Sequence, residues 1–184
     1  MSMKKLFFLF AFLVGLGISS SVYAQLTKPI TLDSPNTLAS KLGADVGKVT
    51  ILKVSGLLGI EDFKTMKERM GMLQVLDMSG VTALPMVGEH YYEEVTLPGI
   101  PANAFEDKRT LQQVVFPAVL QRIDDEAFKG CSNLTEADFS QAMQLKQIRD
   151  RAFLECSGLK ELDLSVCVAL EEILGSAFNQ CSNL

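Results

Sequence analysis

The chain has 184 residues, of which 17 are basic, 22 are acidic and one is histidine, and it contains no tryptophan. This length suits a single folded domain behind a short leader. The net charge of −5 argues against nucleic acid as a partner, because phosphate backbones repel an acidic chain.

Residues 1–24 predict a secretory signal peptide. Two lysines, Lys4 and Lys5, precede the apolar stretch Leu6–Ile18, and Val22-Tyr23-Ala24 offers a cleavage site before Gln25. The apolar stretch is too short for a stable membrane span, so we expect no span in the mature chain. Cleavage leaves 15 basic and 22 acidic residues, a net charge of −7. We therefore expect an exported bacterial protein at the cell surface, in the periplasm or secreted.

Residues 25–99 predict an N-terminal α/β cap that contains the first divergent repeats. The stretch Thr37–Gly43 predicts a short helix, and the stretch Ile60–Met70 predicts a second one, with its apolar residues on one side. Strands are expected from Val49 and from Leu73, because both begin the same apolar pattern 24 residues apart.

An inserted loop is expected around Ser79–Gly99, because the next strand pattern starts only at Leu111. Tyr91 and Tyr92 supply aromatic contact area for a recognition loop. A loop that packs over the cap is the alternative. His90 has glutamates close by, but adjacent side chains point in different directions, so we expect no metal site there.

A repeat dominates residues 100–184. Ala-Phe pairs begin at Ala104, Ala127, Ala152 and Ala177, with spacings of 23, 25 and 25 residues. Six residues after each Phe comes a Leu that opens the pattern L-x-x-φ-x-φ, where φ is apolar. This period and pattern are those of leucine-rich repeats.

The repeat predicts an α/β repeat solenoid with a parallel β-sheet on one face. Short helical turns are expected on the other face, in the Ala-Phe segments. Asn133, Gly158 and Asn183 are expected to end these turns in the left-handed conformation. One aromatic side chain per repeat should form an interior ladder: Phe105, Phe128, Phe153 and Phe178.

The phrase Ala-Phe-x-x-Cys-x-x-Leu resembles the BspA-like leucine-rich repeats of Bacteroides-type surface proteins. The resemblance covers Ile100–Leu184. It departs from the pattern in the first unit, where Lys108 takes the cysteine position and Thr110 replaces Asn or Gly. Members of that family look like surface-exposed interaction proteins, so the resemblance implies a binding or adhesion role.

Three cysteines share one position in successive repeats: Cys131, Cys156 and Cys181. Neighbours in such a column are about 5 Å apart, which permits a disulfide by distance. Three parallel thiols cannot all pair, however, so we expect free, buried thiols that belong to the structural ladder. No Cys or His spacing of a metal site is present.

Outward strand positions carry an acidic patch on two adjacent repeats: Glu136, Asp138, Glu161 and Asp163. Side-by-side like charges are mildly destabilising on a sheet. The patch is therefore either a solvated surface or a site for a cation or a basic ligand.

The sequence contains no paired acid and base, no activated nucleophile and no phosphate-binding motif, so we expect neither an enzyme nor a cofactor. We expect a non-catalytic exported module that binds host or cell-surface proteins or glycans through the repeat sheet or the inserted loop. The alternative is a structural protein that self-associates through its C-terminal repeat, because Leu184 begins a strand without a capping segment.

Overall fold

The computed structural model describes residues 25–88 and 96–184. The predicted signal peptide and most of the predicted recognition loop, including Tyr91 and Tyr92, lie outside the described residues. The described part contains ten strands and two α-helices: β1 Thr27–Leu32, α1 Leu38–Leu42, β2 Ile51–Leu57, α2 Ile60–Lys64, β3 Val75–Ala83, β4 Met86–Val87, β5 Leu97–Ile100, β6 Gln113–Val115, β7 Arg122–Ile123, β8 Glu136–Asp138, β9 Gln147–Ile148 and β10 Glu172–Ile173.

The first sheet is parallel throughout, with the order β1-β2-β3-β6-β8. Val75 pairs with Ile51 on one side and with Gln113 on the other, and Gln113 pairs with Glu136. Strand neighbours in this sheet are therefore successive repeats. The fold is an α/β repeat fold in which equivalent positions of successive repeats lie side by side.

A second sheet, with the order β10-β9-β7-β5-β4, runs along another side of the same repeats. Its strands β5, β7, β9 and β10 are parallel, and β4 joins β5 antiparallel. The sequence analysis predicted one sheet, because the Leu-x-x-Ile stretch after each first strand contributes only two residues of regular pairing.

The core lies between these sheets and follows the repeat. Inward positions of the first sheet are buried at every described strand from β2 to β8, and the second sheet contributes Ile100, Ile123 and Ile148 at 0% exposure. Period-two alternation sends one set of apolar side chains inward and the other side chains outward. The inward side chains are thus fixed by packing, and the outward ones are free to vary.

The prediction of helical turns in the Ala-Phe segments is wrong. These segments are successive tight turns, in which the Ala127 amide donates to the Asp124 carbonyl and the Cys131 amide to the Phe128 carbonyl. Helical propagation stops because Glu126 has φ 56° and Gly130 has φ 71°. The freed amides bond between repeats instead, as the Phe128 amide does to the Ala152 carbonyl at 2.8 Å.

The prediction of left-handed Asn133, Gly158 and Asn183 is also wrong, because none of the three has a positive φ. The two asparagines act through their side-chain amides. Asn133 Nδ2 donates to the Arg109 carbonyl at 2.7 Å, and Asn183 Nδ2 donates to the Ser157 carbonyl at 2.6 Å. Asparagine at this position therefore ties each repeat to the preceding one.

The N-terminal segment, residues 25–88, adds one strand that the sequence analysis missed, β1, and a third strand that continues to Ala83. The insertion therefore begins later than Ser79. One buried carboxylate organises the helices: Asp62 accepts backbone N–H bonds from Asn36, Leu38 and Gly59 at 2.7–2.9 Å. This joins the start of α1 to the start of α2. Among residues 25–88 and 96–184, no helix is long and apolar enough to cross a bilayer.

Lys108 forms the junction between this segment and the repeats. Its side chain is buried, and its Nζ donates to the Met70 carbonyl at 3.0 Å and to the Lys67 carbonyl at 3.2 Å. Burial holds the pKa of this amine below its ordinary value, and the nearby Cys131 opposes that shift. The departure from cysteine at this position thus has a physical reason. The π-helical turn Thr65–Arg69, which continues α2, and the residue after it offer carbonyls that an amine can bond.

Candidate interaction surface

The outward face of the first sheet changes character along the repeats. On its N-terminal half, half-buried Ile51 and Val75 pair side by side, and Lys53 pairs with Asp77, so that the two charges are balanced. The next repeat presents Gln113 and Val115, which pair with Glu136 and Asp138. The acidic character predicted from the sequence therefore begins at β8.

The aspartates of this face have a local structural role that the sequence analysis missed. The Asp138 carboxylate accepts the backbone N–H of Ser140 at 2.8 Å, and the Asp163 carboxylate accepts that of Ser165 at 2.9 Å. Asp77 does the same for Ser79. The repeated tripeptide Asp-x-Ser was the available signal, since short polar side chains commonly bond a backbone group two residues on.

Asp77 shows how one of these carboxylates is balanced. Burial alone would raise the pKa of its carboxyl, but the bonds from Ser79 and the Lys53 amine outweigh this, and the pKa lies below its ordinary value. Lys53 Nζ lies 3.2 Å from Asp77 Oδ2 on the neighbouring strand. A cation across the strand is therefore one way in which this face compensates a carboxylate.

The four predicted acidic residues lie on two successive repeats, but their surroundings differ. Glu136 is exposed and accepts a bond from Gln113 Nε2 at 3.0 Å, whereas Asp138 is half-buried. Glu161 and Asp163 are both exposed, in a stretch to which the described structure assigns no strand. Two of the four carboxylates, Asp138 and Asp163, are partly committed to their own turns, which leaves the glutamates as the freer pair.

The predicted cysteine and phenylalanine ladders lie inside the protein. Phe128 stacks between Phe105 and Phe153, with ring centroids 5.1 and 5.0 Å away, and Phe178 continues the stack at 5.2 Å. Cys131, Cys156 and Cys181 are free and buried, as is Cys167. These side chains form packing layers rather than a surface site.

Each thiol of the column donates to the carbonyl of the Phe in the preceding repeat: Cys131 to Phe105, Cys156 to Phe128, and Cys181 to Phe153, at 3.1–3.2 Å. Burial raises the pKa of the Cys131 thiol to about 12. The thiolate is the reactive form of cysteine, so we expect the thiols of the column to react slowly in the folded protein.

An exposed apolar ridge was missed by the sequence analysis. Ala118, Met143 and Val168 occupy the same position in three successive repeats, two residues before the Leu that leads into the second sheet. Met143 is 59% exposed and Val168 is 84% exposed. The available signal was composition, because residues 117–121, 140–145 and 165–170 contain no charged side chain.

A buried polar cluster on the second sheet was also missed. The Arg122 side chain is 1% exposed, and its Nη2 lies 3.2 Å from Asp124 Oδ1. Its Nη1 donates to Gln147 Oε1 in the next repeat at 2.9 Å. No sequence pattern indicates this burial, because charged residues on a short strand ordinarily face water.

The predicted candidates thus divide into two groups. Glu136 and Asp138 lie on β8 of the first sheet, Glu161 and Asp163 are exposed one repeat later, and the ladders lie in the core. The tyrosine pair lies outside the described residues. Among residues 25–88 and 96–184, no cluster of three or more His, Cys, Asp or Glu side chains is arranged to hold a metal ion.

Comparison with known protein families matches part of the chain. A family model described as a BspA type leucine rich repeat region matches residues 98–184 in six copies. No curated protein matches the chain. Repeats of this family are typically non-catalytic protein-interaction modules of bacterial surface or secreted proteins. Residues 98–184 thus match the BspA-type leucine-rich repeat family, and their period and parallel strands agree with that match.

Proposed function

We propose that this protein is a non-catalytic exported module that binds macromolecules at a cell surface through the outward face of its repeat sheet. In this proposal residues 1–24 are a cleaved signal peptide, residues 25–99 form an N-terminal cap, and residues 100–184 form a solenoid of repeats. Proteins or glycans are the ligands, and the module needs no cofactor.

One observation carries the proposal. Inward positions are apolar and buried in the first-sheet strands β2, β3, β6 and β8, whereas outward positions change in chemical character, from Ile51 and Val75 through Gln113 to Glu136. Regular stacking presents these different side chains at a fixed spacing of about 5 Å. A rigid array of non-repeating side chains is what an extended binding surface requires.

The ligand-binding candidates follow from this surface. Glu136, Asp138, Glu161 and Asp163 form its acidic half, and charge there selects partners and raises association rates more than it adds affinity. Tyr91 and Tyr92 are a second candidate, because aromatic side chains are enriched at interfaces.

The test is an array of extracellular matrix proteins and cell-surface glycans probed with residues 25–184. We expect binding to at least one component, reduced by the double charge reversal Asp138→Lys and Asp163→Lys. A variant with Tyr91→Ser and Tyr92→Ser separates the loop from the sheet. An array without any bound component contradicts the proposal.

Self-association through the last described repeat is the second candidate function. Ile173 in β10 is 48% exposed, whereas Ile123 and Ile148 at the same position are fully buried. Light scattering of residues 25–184, compared with Ile173→Lys, tests this candidate. A concentration-independent monomer mass for the wild type rules it out.

A further inference from the structure

The exposed apolar ridge and the acidic side chains beside it together describe a partner. Met143 follows β8 in a tight turn in which the Ala142 amide donates to the Phe139 carbonyl at 2.8 Å, and Val168 follows an equivalent turn, in which the Cys167 amide donates to Leu164. Met143 and Val168 therefore each come five residues after an aspartate of the outer face, Asp138 or Asp163.

The ridge has no packing function of its own. The core-facing residues of the same turns are Ala142 and Cys167, which are 0% and 5% exposed, whereas Met143 and Val168 are 59% and 84% exposed. Exposed apolar side chains in one row indicate a contact surface, because most of the exposed side chains of a soluble protein are polar or charged. The surrounding charge-free turns remove the cost of desolvating ions when such a contact forms.

The acidic neighbours fix the sign of the partner's charge. Glu136 and Glu161 are exposed, and each lies seven residues before a ridge residue of the same repeat, Met143 or Val168. Complementary potential favours a basic partner and disfavours an acidic one. The proposed mature chain has a net charge of −7, which also attracts a basic partner over a longer distance.

The dimensions of the ridge fix the partner's size. Three positions at about 5 Å spacing span about 10 Å, which corresponds to a few side chains of a polypeptide. A bilayer with acidic headgroups would meet the same carboxylates and be repelled.

We propose that the ridge Ala118, Met143 and Val168, with Glu136, Asp138, Glu161 and Asp163 beside it, docks a protein segment whose apolar side chains are flanked by lysine or arginine. This inference rests on the proposed binding function and names the chemical class of its partner. The apolar side chains contact the ridge, and the basic side chains reach the carboxylates.

The experiment uses residues 25–184 and labelled peptides, with binding followed by fluorescence anisotropy. The probe is a peptide of alternating Leu and Lys. Its two counterparts carry Glu in place of Lys or Ser in place of Leu, and phosphatidylglycerol vesicles serve as the membrane probe. We expect the Leu-Lys peptide to bind at least about tenfold more tightly than either counterpart, and the vesicles not to bind.

Two sets of substitutions locate the contact. Met143→Ser with Val168→Ser removes the ridge, and Glu136→Gln with Glu161→Gln removes charge without changing shape. Each double variant should weaken the Leu-Lys peptide by about tenfold. The matched control, Glu68→Gln with Glu155→Gln, removes two exposed acids elsewhere and should leave affinity unchanged.

The inference is overturned by equal binding of the Glu-containing peptide, by vesicle binding, by no binding of the Leu-Lys peptide, or by unchanged affinity in both double variants. The array of the proposed function is probed with the same variants. Array binding that survives both double variants leaves the proposed function standing and removes this inference. A wild-type array without binding removes the proposed function itself.

Discussion

The Sγ atom of Cys156 lies 3.1 Å from the carbonyl oxygen of Phe128, one repeat earlier in the chain. The bond joins the thiol column to the aromatic column and gives the Phe128 carbonyl, which already accepts the Cys131 amide, a second donor. Buried polar groups are costly when they lack a partner, so cysteine at this position provides both a small apolar volume and a weak donor.

The first prediction concerns thiol reactivity. Because burial raises the pKa of Cys131 to about 12, its proton is held in the folded state through the alkaline range. An unfolded thiol ionises from its ordinary value near 9.0. The folded state thus loses stability relative to the unfolded state as pH rises from about 9 to about 12.

We expect the four thiols to react with an alkylating reagent at pH 8 only after denaturation, as measured by mass spectrometry. Fast labelling of Cys131 in the native protein at pH 8 would show that the column is open to solvent.

The second prediction concerns the aromatic ladder. Phe128→Ala removes a ring stacked on both sides and contacted edge-on by Phe116 at 5.7 Å. We expect a loss of about 3–5 kcal/mol in the free energy of unfolding, measured by urea denaturation. Phe178→Ala is the matched control and should cost less, because Phe178 is half-buried and stacks on Phe153 alone among the described rings.

The third prediction separates the structural and surface roles of the acidic residues. Asp138→Ala removes the acceptor of the Ser140 amide, and we expect a loss of about 1 kcal/mol in unfolding free energy. Asp138→Asn keeps an acceptor oxygen and should recover most of it. Glu136→Ala, which alters an exposed side chain, should stay within about 0.5 kcal/mol. Equal effects of the two alanine variants would mean that the turn bond does not contribute.

The fourth prediction concerns the buried arginine. Arg122→Met leaves the Asp124 carboxylate in the interior without this cation, so we expect a loss of about 3–5 kcal/mol. The double variant Arg122→Met with Asp124→Leu should regain much of that loss, because replacing both partners removes the uncompensated charge. Arg151→Met is the control, since its side chain is 51% exposed and pairs with Glu126 at the surface. A double variant as unstable as Arg122→Met speaks against this account.

The sequence was sufficient to predict the repeat family and the first sheet, because both depend on the spacing of apolar residues. Leu76 and Val114, for example, lie at the same step of the pattern and pair in the parallel sheet. The helical turns were wrong because local composition around Ala127 suits a helix, whereas the decisive bonds are to the next repeat. An amide that bonds to a residue 24 positions away leaves no local signal.

The candidate surface was predictable only in part, for a related reason. Alternation on a strand indicates which side chains face outward, so Glu136 and Glu161 could be placed on one face. Three other features depend on turns and on neighbouring repeats: the bond from the Ser140 amide to Asp138, the exposure of Met143 and the burial of Arg122. The sequence pattern does not report those contacts.

The directions of the bonds between repeats have a further consequence. The Phe128 amide donates forward to Ala152, and the Cys156 thiol donates back to Phe128. Two adjacent repeats are therefore joined by bonds in both directions. Each interface between neighbouring repeats adds its own contribution to the free energy of unfolding. A whole repeat can in principle be gained or lost by recombination without redesign of the core. Such a scaffold allows the reach of a binding surface to change by duplication, while the unchanged inward residues keep each added unit folded.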